Sequence, residues 1–130
     1  MKILLAEDDF VTRKFMMNFL SKYGECDVTV DGMEAVDAFM MALEEGNPYD
    51  VVVLDIMMPV MDGYQALMGI RNIEKERNIT GNDAVKVIMA TALNEEKNVK
   101  MAFDLGCTIY SGKPIDQARF EQGLKKLGLI

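Results

Sequence analysis

The chain has 130 residues, half of them hydrophobic, and a formal net charge of −7. That length predicts one domain with a real hydrophobic core, and a mean hydropathy of +0.05 is typical of a globular, water-soluble protein. An acidic chain disfavours direct binding to nucleic acid or to an anionic membrane, because both interactions need basic patches. We expect cations and proteins with basic surfaces as partners instead.

Two residue types narrow the chemistry further. Histidine is absent, and Cys26 and Cys107 are the only cysteines. A Ser-His-Asp triad, a histidine metal cluster and phosphohistidine on this chain are therefore excluded, and two distant cysteines form neither a disulfide framework nor a zinc site. The sequence shows no signal peptide and no apolar stretch long enough to cross a bilayer, which favours a cytoplasmic location.

The hydrophobic pattern predicts five strands that alternate with five helices. The strands are expected at residues 2–6, 27–30, 51–54, 85–90 and 107–110, and the helices at 10–23, from 31, from 63, at 94–106 and after 114. Asp31 to Glu34 resembles a capping box, and Asn94-Glu95-Glu96 is a good helix start. Alternating strands and crossover helices predict an α/β fold with a parallel sheet covered on both faces. Five such (βα)5 units fit the doubly wound, flavodoxin-like strand order 2-1-3-4-5.

The third predicted strand is the centre of the chain. Val51 to Leu54 form a continuous apolar run, typical of a strand buried on both faces, and Asp55 follows directly. Open α/β sheets place their chemistry at this carboxyl edge. Polar residues follow the other strands at the same predicted edge: Asp8 and Asp9, Thr91, and Lys113.

These side chains together indicate a metal-assisted phosphoryl site. Neighbouring carboxylates repel one another unless a cation is present, and oxygen ligands without His or Cys favour Mg²⁺. An aspartate can accept a phosphoryl group as an aspartyl phosphate, while a lysine and a metal neutralise the phosphoryl oxygens. Taken singly, Asp8 or Asp9 would be a helix N-cap, Thr91 a turn residue and Lys113 a solvated lysine. Their joint placement favours the functional interpretation.

Four groups of residues resemble the receiver domain of bacterial two-component response regulators, in particular the stand-alone chemotaxis (CheY-like) type. They are Glu7-Asp8-Asp9-Phe10, Asp55 with Met58-Pro59 and Met61-Asp62-Gly63, Ala90-Thr91-Ala92, and Tyr110 with Lys113-Pro114. The resemblance covers residues 2–127. It implies a receiver domain over 1–130, and because the chain stops at Ile130 we expect no output domain.

By that resemblance Asp55 is the phosphoacceptor, in a protein that catalyses its own phosphorylation and dephosphorylation rather than acting as a conventional enzyme. Asp9 and Asp55 would bind Mg²⁺ directly, Asp8 would act largely through a water, and the backbone carbonyl of Met57 would add a ligand. Lys113 would contact the phosphoryl group, through a chain segment whose bond to Pro114 is often cis in the family.

The resemblance also implies a switch and its partners. Thr91 and Tyr110 would respond to phosphorylation and change partner preference on the face formed by the fourth helix, fifth strand and fifth helix. The donor would be a sensor histidine kinase or a histidine phosphotransfer protein, and the target a downstream protein, with the chain a monomer or weak homodimer. Met57 and Leu93 occupy positions thought to tune hydrolysis, and because both are apolar we expect a long-lived phosphorylated state.

Four alternatives stay open. The chain would be a relay intermediate if it passes phosphate to a histidine elsewhere. A haloacid-dehalogenase-type phosphatase also uses a strand-end aspartate, but its D-x-D pattern needs a second acid two residues later, where this chain has Met57. A flavodoxin-like FMN carrier needs a phosphate loop where this chain has three acids. A degenerate receiver would signal without phosphate, although all its site residues are present.

Overall fold

The computed structural model describes residues 1–93 and 95–130. The strands are β1 (Lys2–Ala6), β2 (Glu25–Thr29), β3 (Val51–Leu54), β4 (Lys86–Thr91) and β5 (Ile109–Gly112). The helices are α1 (Phe10–Leu20), α2 (Gly32–Glu44), α3 (Gly63–Glu76), α4 (Glu96–Asp104) and α5 (Gln117–Lys126), with a 3₁₀ turn at Gly81–Asp83. All strand pairs are parallel and the order is β2-β1-β3-β4-β5. The predicted fold class and strand order are confirmed.

The sheet lies between two apolar layers, because successive strand residues point to opposite faces. Val52 and Leu54 of β3 pack in one layer with α2 and α3. Val51 and Val53 pack in the other layer with α1 and α5. Every β3 residue is buried, as a continuous apolar run predicts. Each such side chain contributes about 2 kcal/mol by its removal from water, so β3 holds the strand end at Asp55 in place.

Helix ends partly follow the predicted chemistry. Asp31 caps α2 by accepting from the Glu34 N–H at 2.8 Å, but the Glu34 carboxylate accepts from the Val30 N–H at 3.1 Å instead of closing a capping box. A full capping box joins Asp62 and Gln65 at the start of α3. The predicted cap Asn94 lies outside the described residues, and α4 begins at Glu96.

Several predicted bounds differ from the observed elements. β4 spans Lys86–Thr91 instead of 85–90, and α4 ends at Asp104 instead of 106. α1 ends at Leu20, and residues 21–23 form a turn. β2 begins at Glu25 and ends at Thr29, so it starts two residues before the predicted strand. β5 begins at Ile109 instead of residue 107, which places Tyr110 inside the strand, opposite Met89 of β4. The predicted strand begins at Cys107 because this residue is apolar, but Cys107 packs in the core before the strand begins.

Cys26 and Cys107 are both free thiols, near opposite edges of the sheet. The strand order predicts this separation. Among the described residues, the helices are too short or too polar to cross a lipid bilayer.

Candidate functional site

The site is built where β1 and β3 end side by side. Ala6 and Leu54 are paired in the sheet, so Glu7 and Asp55 are the first residues beyond the two paired ends. The Asp55 N–H donates to the Ala6 carbonyl at 3.0 Å, and its own Oδ1 accepts from the Ile56 N–H at 2.7 Å. These bonds fix both the backbone and one oxygen of Asp55, and they leave Oδ2 directed to other partners.

Three carboxylates converge at this edge. Oxygens of Glu7, Asp8 and Asp55 all lie within 4.8 Å of one another, with Glu7 and Asp55 buried and Asp8 exposed. The Lys113 Nζ lies 2.6 Å from Glu7 Oε2 and 3.2 Å from Asp55 Oδ2. One ammonium therefore faces three carboxylates. The cluster has an excess of negative charge, which a divalent cation would balance.

Burial and ion pairing together determine the pKa shifts of Glu7 and Lys113. Burial raises the pKa of the Glu7 carboxyl above its usual value, because its hydrogen bond to Lys113 offsets only part of the lost hydration. Burial alone would lower the pKa of Lys113, but its bonds to Glu7 and Asp55 outweigh burial and raise it. Lys113 is therefore a stable ammonium in this site.

Asp9 is not one of these three carboxylates, and its role as a metal ligand stays a prediction. Its Oδ2 accepts from the Thr12 N–H at 2.9 Å and from the Thr12 hydroxyl at 2.6 Å, as the N-cap of α1. These two hydrogen bonds lower the pKa of the Asp9 carboxyl. Glu7, which the sequence did not single out as a site residue, lies beside Asp8 and Asp55.

Sequence reasoning missed Glu7 because three consecutive acids follow β1. Which of these acids lie beside Asp55 depends on where the strand ends and on the backbone path of the loop that follows it. One sequence feature could have identified it: Glu7 directly follows an apolar strand, as Asp55 does.

Lys113 is carried by the loop after β5. Its backbone N–H donates to the Thr91 carbonyl at 2.9 Å, which ties the loop to the end of β4. The Lys113–Pro114 peptide bond is cis, as the resemblance implied. Met57 lies in the loop after β3, next but one to Asp55, with 63% of its surface exposed. Its backbone carbonyl is the predicted additional ligand.

Thr91 and Tyr110 meet at the backbone of Leu93. Thr91 is buried at the end of β4, and its hydroxyl oxygen accepts from the Leu93 N–H at 3.2 Å. The Tyr110 hydroxyl donates to the Leu93 carbonyl. Burial raises the pKa of Tyr110 to about 12, so the phenol stays a hydrogen-bond donor at neutral pH. The two predicted switch residues thus hold the two sides of one peptide segment.

Comparisons with known proteins agree with this geometry. Residues 3–125 match the family model of the response regulator receiver domain. "Probable histidine kinase 2" of Oryza sativa subsp. indica is 32% identical over 134 residues, covering 95% of this chain and 12% of that protein. The chain spans 12% or less of the length of the first histidine kinases that it matches.

Two solved structures are similar over nearly the whole chain. One is a chain in the CheX–CheY–BeF₃–Mg²⁺ complex of Borrelia burgdorferi, with a TM-score of 0.82 and 30% identity over 98% of this chain and 88% of that one. The other is in the complex of Saccharomyces cerevisiae Ypd1 with the receiver domain of Ssk1, with a TM-score of 0.84 and 25% identity over 98% and 88%. The chain belongs to the response regulator receiver domain family of two-component phosphorelay signalling.

Proposed function

We propose that this receiver domain accepts a phosphoryl group on Asp55 from a phosphohistidine, in a reaction that requires Mg²⁺. The observation that carries the proposal is the position of Lys113, whose Nζ lies within hydrogen-bond distance of both Glu7 and Asp55. An ammonium held beside the nucleophile by a second carboxylate can contact an incoming phosphoryl oxygen without moving far.

The donor set fits Mg²⁺. Receiver domains bind this ion at an acidic pocket, and Glu7, Asp8 and Asp55 supply carboxylate oxygens within 4.8 Å of one another. Asp9 and Asp55 would hold the ion directly, Asp8 largely through a water, and the Met57 carbonyl would add a ligand. Glu7 lies beside these residues and pairs with Lys113. When bound, Mg²⁺ would neutralise charge on the phosphoryl oxygens.

The transfer forms one bond and breaks one. A carboxylate oxygen of Asp55 attacks the phosphorus atom, the new P–O bond forms, and the P–N bond to the donor imidazole breaks as that nitrogen regains a proton. Lys113 stays protonated throughout, because Glu7 and Asp55 raise its pKa. The buried Thr91 hydroxyl, at the neighbouring strand end, would then donate to the phosphoryl group.

Phosphorylation would act on partner binding through Leu93. If the Thr91 hydroxyl turns to the phosphoryl group, the Leu93 N–H loses the acceptor that it has at 3.2 Å. The Tyr110 hydroxyl bonds the carbonyl of the same residue, so its position would change as well. We propose that the α4–β5–α5 face changes its affinity for a downstream protein as a result, by a shift of population.

A second candidate function, that of a relay intermediate, is favoured by one surface beside the site. A groove of about 500 Å³ is lined by Val11, Phe15, Pro114 and Ile115, together with Thr12 and Lys113. Phe10 and Val11 at the start of α1 are 66% and 74% exposed. An apolar face this close to Asp55 suits a helix that carries a reactive histidine. The Ssk1 receiver domain was solved with the phosphotransfer protein Ypd1.

Intact-protein mass after incubation with acetyl phosphate and Mg²⁺ tests the main proposal. We expect one added phosphoryl group, which disappears when Mg²⁺ is removed by chelation. The Asp55→Ala variant should gain none, because it lacks the attacking oxygen.

Asp50→Ala is the matched control, since Asp50 is an exposed aspartate just before β3 at the opposite edge of the sheet. It should be phosphorylated like the wild type. A folded wild-type protein that forms no adduct and does not bind beryllofluoride would contradict the proposal and favour a phosphate-independent binding module. Transfer onward from phosphorylated protein to a histidine phosphotransfer domain would identify the relay.

A further inference from the structure

α4 is held in place mainly by polar contacts at its two ends. Within the described residues, Ala102 is its single fully buried side chain. Near its start, the Tyr64 hydroxyl lies 3.3 Å from the Asn98 carbonyl and 3.2 Å from Asn98 Oδ1. After its end, the Arg71 guanidinium donates to the Gly106 carbonyl at 3.0 and 2.8 Å. A helix with so little apolar anchoring can shift when one of these contacts is lost.

Tyr64 is linked to Asp55 by backbone contacts at the start of α3. It follows Gly63, whose N–H donates to the Ile56 carbonyl at 2.8 Å. A Cβ atom at Gly63 would lie only 2.2 Å from the Asp55 carbonyl oxygen, so the start of α3 packs tightly on the Asp55 backbone. A displacement of Asp55 or Ile56 must therefore move Tyr64 as well.

Tyr64 and Tyr110 are also neighbours. The pKa of Tyr110 is raised first by burial and then by the nearby Tyr64 phenol, and burial likewise raises the pKa of Tyr64. The Tyr110 hydroxyl bonds the Leu93 carbonyl, just before α4, and the Tyr64 hydroxyl bonds Asn98 in the first turn of α4. Two phenols, one from α3 and one from β5, thus hold the same end of one helix.

We propose that Tyr64 is a positioning residue that holds the first turn of α4 through Asn98 and couples it to Asp55 by a contact separate from those of Thr91 and Tyr110. The inference rests on the proposed phosphoacceptor function for its coupling, but not for the holding contact itself.

The test compares Tyr64→Phe, which removes only the hydroxyl, with Tyr49→Phe as a matched control. The Tyr49 hydroxyl donates to Asp27 Oδ2 at 2.7 Å, away from α4. Two quantities are measured on the full chain: amide hydrogen exchange of residues 96–104 without ligand, and the dissociation constant of beryllofluoride with Mg²⁺.

We expect Tyr64→Phe to speed α4 exchange about fivefold, as loss of one ordinary hydrogen bond predicts, and to change the dissociation constant of beryllofluoride by about as much. Tyr49→Phe should leave both quantities within about twofold of the wild type, which is less than one such bond is worth. A purely structural role for Tyr64 would lower the melting temperature without changing beryllofluoride affinity, and that result would overturn the proposed coupling.

Unchanged α4 exchange in Tyr64→Phe would overturn the holding contact itself. If the wild type binds no beryllofluoride, the phosphoacceptor function and the coupling fail together, while the exchange measurement still decides whether Tyr64 holds α4.

Discussion

Two clusters of buried charge differ in how their charges are balanced. Glu74 in α3 accepts from the Arg71 guanidinium and from the Val85 N–H, both at 2.6 Å. Arg71 in turn donates to the carbonyls of Val85 and Gly106. One negative and one positive charge are matched, and the chain's own backbone satisfies the remaining hydrogen bonds. We call Arg71 and Glu74 the closed cluster.

The second cluster, at the carboxyl edge of the sheet, lacks this balance. Lys113 faces Glu7 and Asp55, and Asp8 adds a third carboxylate. We call these four residues the open cluster. Similar residue types thus have different energetic effects: a charge that is paired and hydrogen-bonded is tolerated in the fold, whereas excess negative charge is destabilising, and a bound cation would offset it.

Removal of Glu74 should give the largest loss of stability. In Glu74→Ala the Arg71 charge and the buried Val85 N–H lose their partner, so we expect the free energy of unfolding to fall by about 3 kcal/mol. Urea denaturation measures this loss. Glu76→Ala, two residues later on the exposed side of α3, should change the value by less than about 0.5 kcal/mol. Equal effects would contradict the closed cluster's structural role.

A residue next to the open cluster should instead affect the lifetime of the phosphorylated state. Met57 is exposed beside Asp55 and offers no polar group that could position a water molecule. In Met57→Asn a side-chain amide could do so, and we expect the acyl phosphate to hydrolyse about tenfold faster, equal to about 1.4 kcal/mol in the barrier. Loss of the phosphorylated mass with time measures the rate.

Met68→Asn is the control for that substitution, because Met68 is an exposed methionine on α3. Its phosphorylated form should persist like that of the wild type. If Met57→Asn has the same lifetime as Met68→Asn, the apolar side chain at position 57 does not explain a long-lived phosphorylated state.

The two clusters also differ in how well the sequence predicts them. Asp55 directly follows the apolar run of β3, and Lys113 follows the last predicted strand, so their meeting at one sheet edge follows from the strand order. Glu7, Asp8 and Asp9 follow β1 in succession, and hydrophobicity does not resolve which of these three acids lie beside Asp55.

The closed cluster was not predicted at all. Arg71 and Glu74 look like ordinary charged residues on a helix, since an i, i+3 pair is typical of a solvated face. Their burial depends on how α3 lies against Val85 and the Gly106 turn, which is tertiary packing. The same limit applies to Tyr64, because its partner Asn98 is 34 residues away.

Neutralising one acid of the open cluster should stabilise the metal-free protein, whereas removing Glu74 from the closed cluster should destabilise it. In Asp8→Asn the repulsion among the three carboxylates falls, and we expect about 1 kcal/mol of added stability without Mg²⁺. Mg²⁺ should then stabilise the wild type but not the variant, because binding to the native state alone raises stability. Thermal unfolding with and without Mg²⁺ measures both effects.

Asp37→Asn, at an exposed position on α2, controls for the change in net charge. It should keep the full Mg²⁺ response. An equal Mg²⁺ response in Asp8→Asn and the wild type would show that Asp8 does not hold the ion.

The smallest expected effect tests whether Glu74 fully balances the charge of Arg71. Cys107 lies just before β5. Burial raises the pKa of its thiol from 9.0 to about 11, although the nearby Arg71 charge acts to lower it. The unfolded thiol therefore loses its proton first, and stability should fall as pH rises from about 9 to about 11. By pH 9.5 the loss should stay below about 1 kcal/mol. Urea denaturation of Cys26→Ser, which leaves Cys107 as the single thiol, measures it across pH.

Cys107→Ala in the same background should lose this pH dependence. Iodoacetamide labelling near pH 8 offers an independent measurement, because a thiol with so high a pKa presents little thiolate. In Glu74→Gln the Arg71 charge loses its carboxylate and can act on Cys107, so labelling should become faster. Rapid labelling of Cys107 before that substitution would mean that Arg71 is already free to stabilise a thiolate, and the cluster would not be closed.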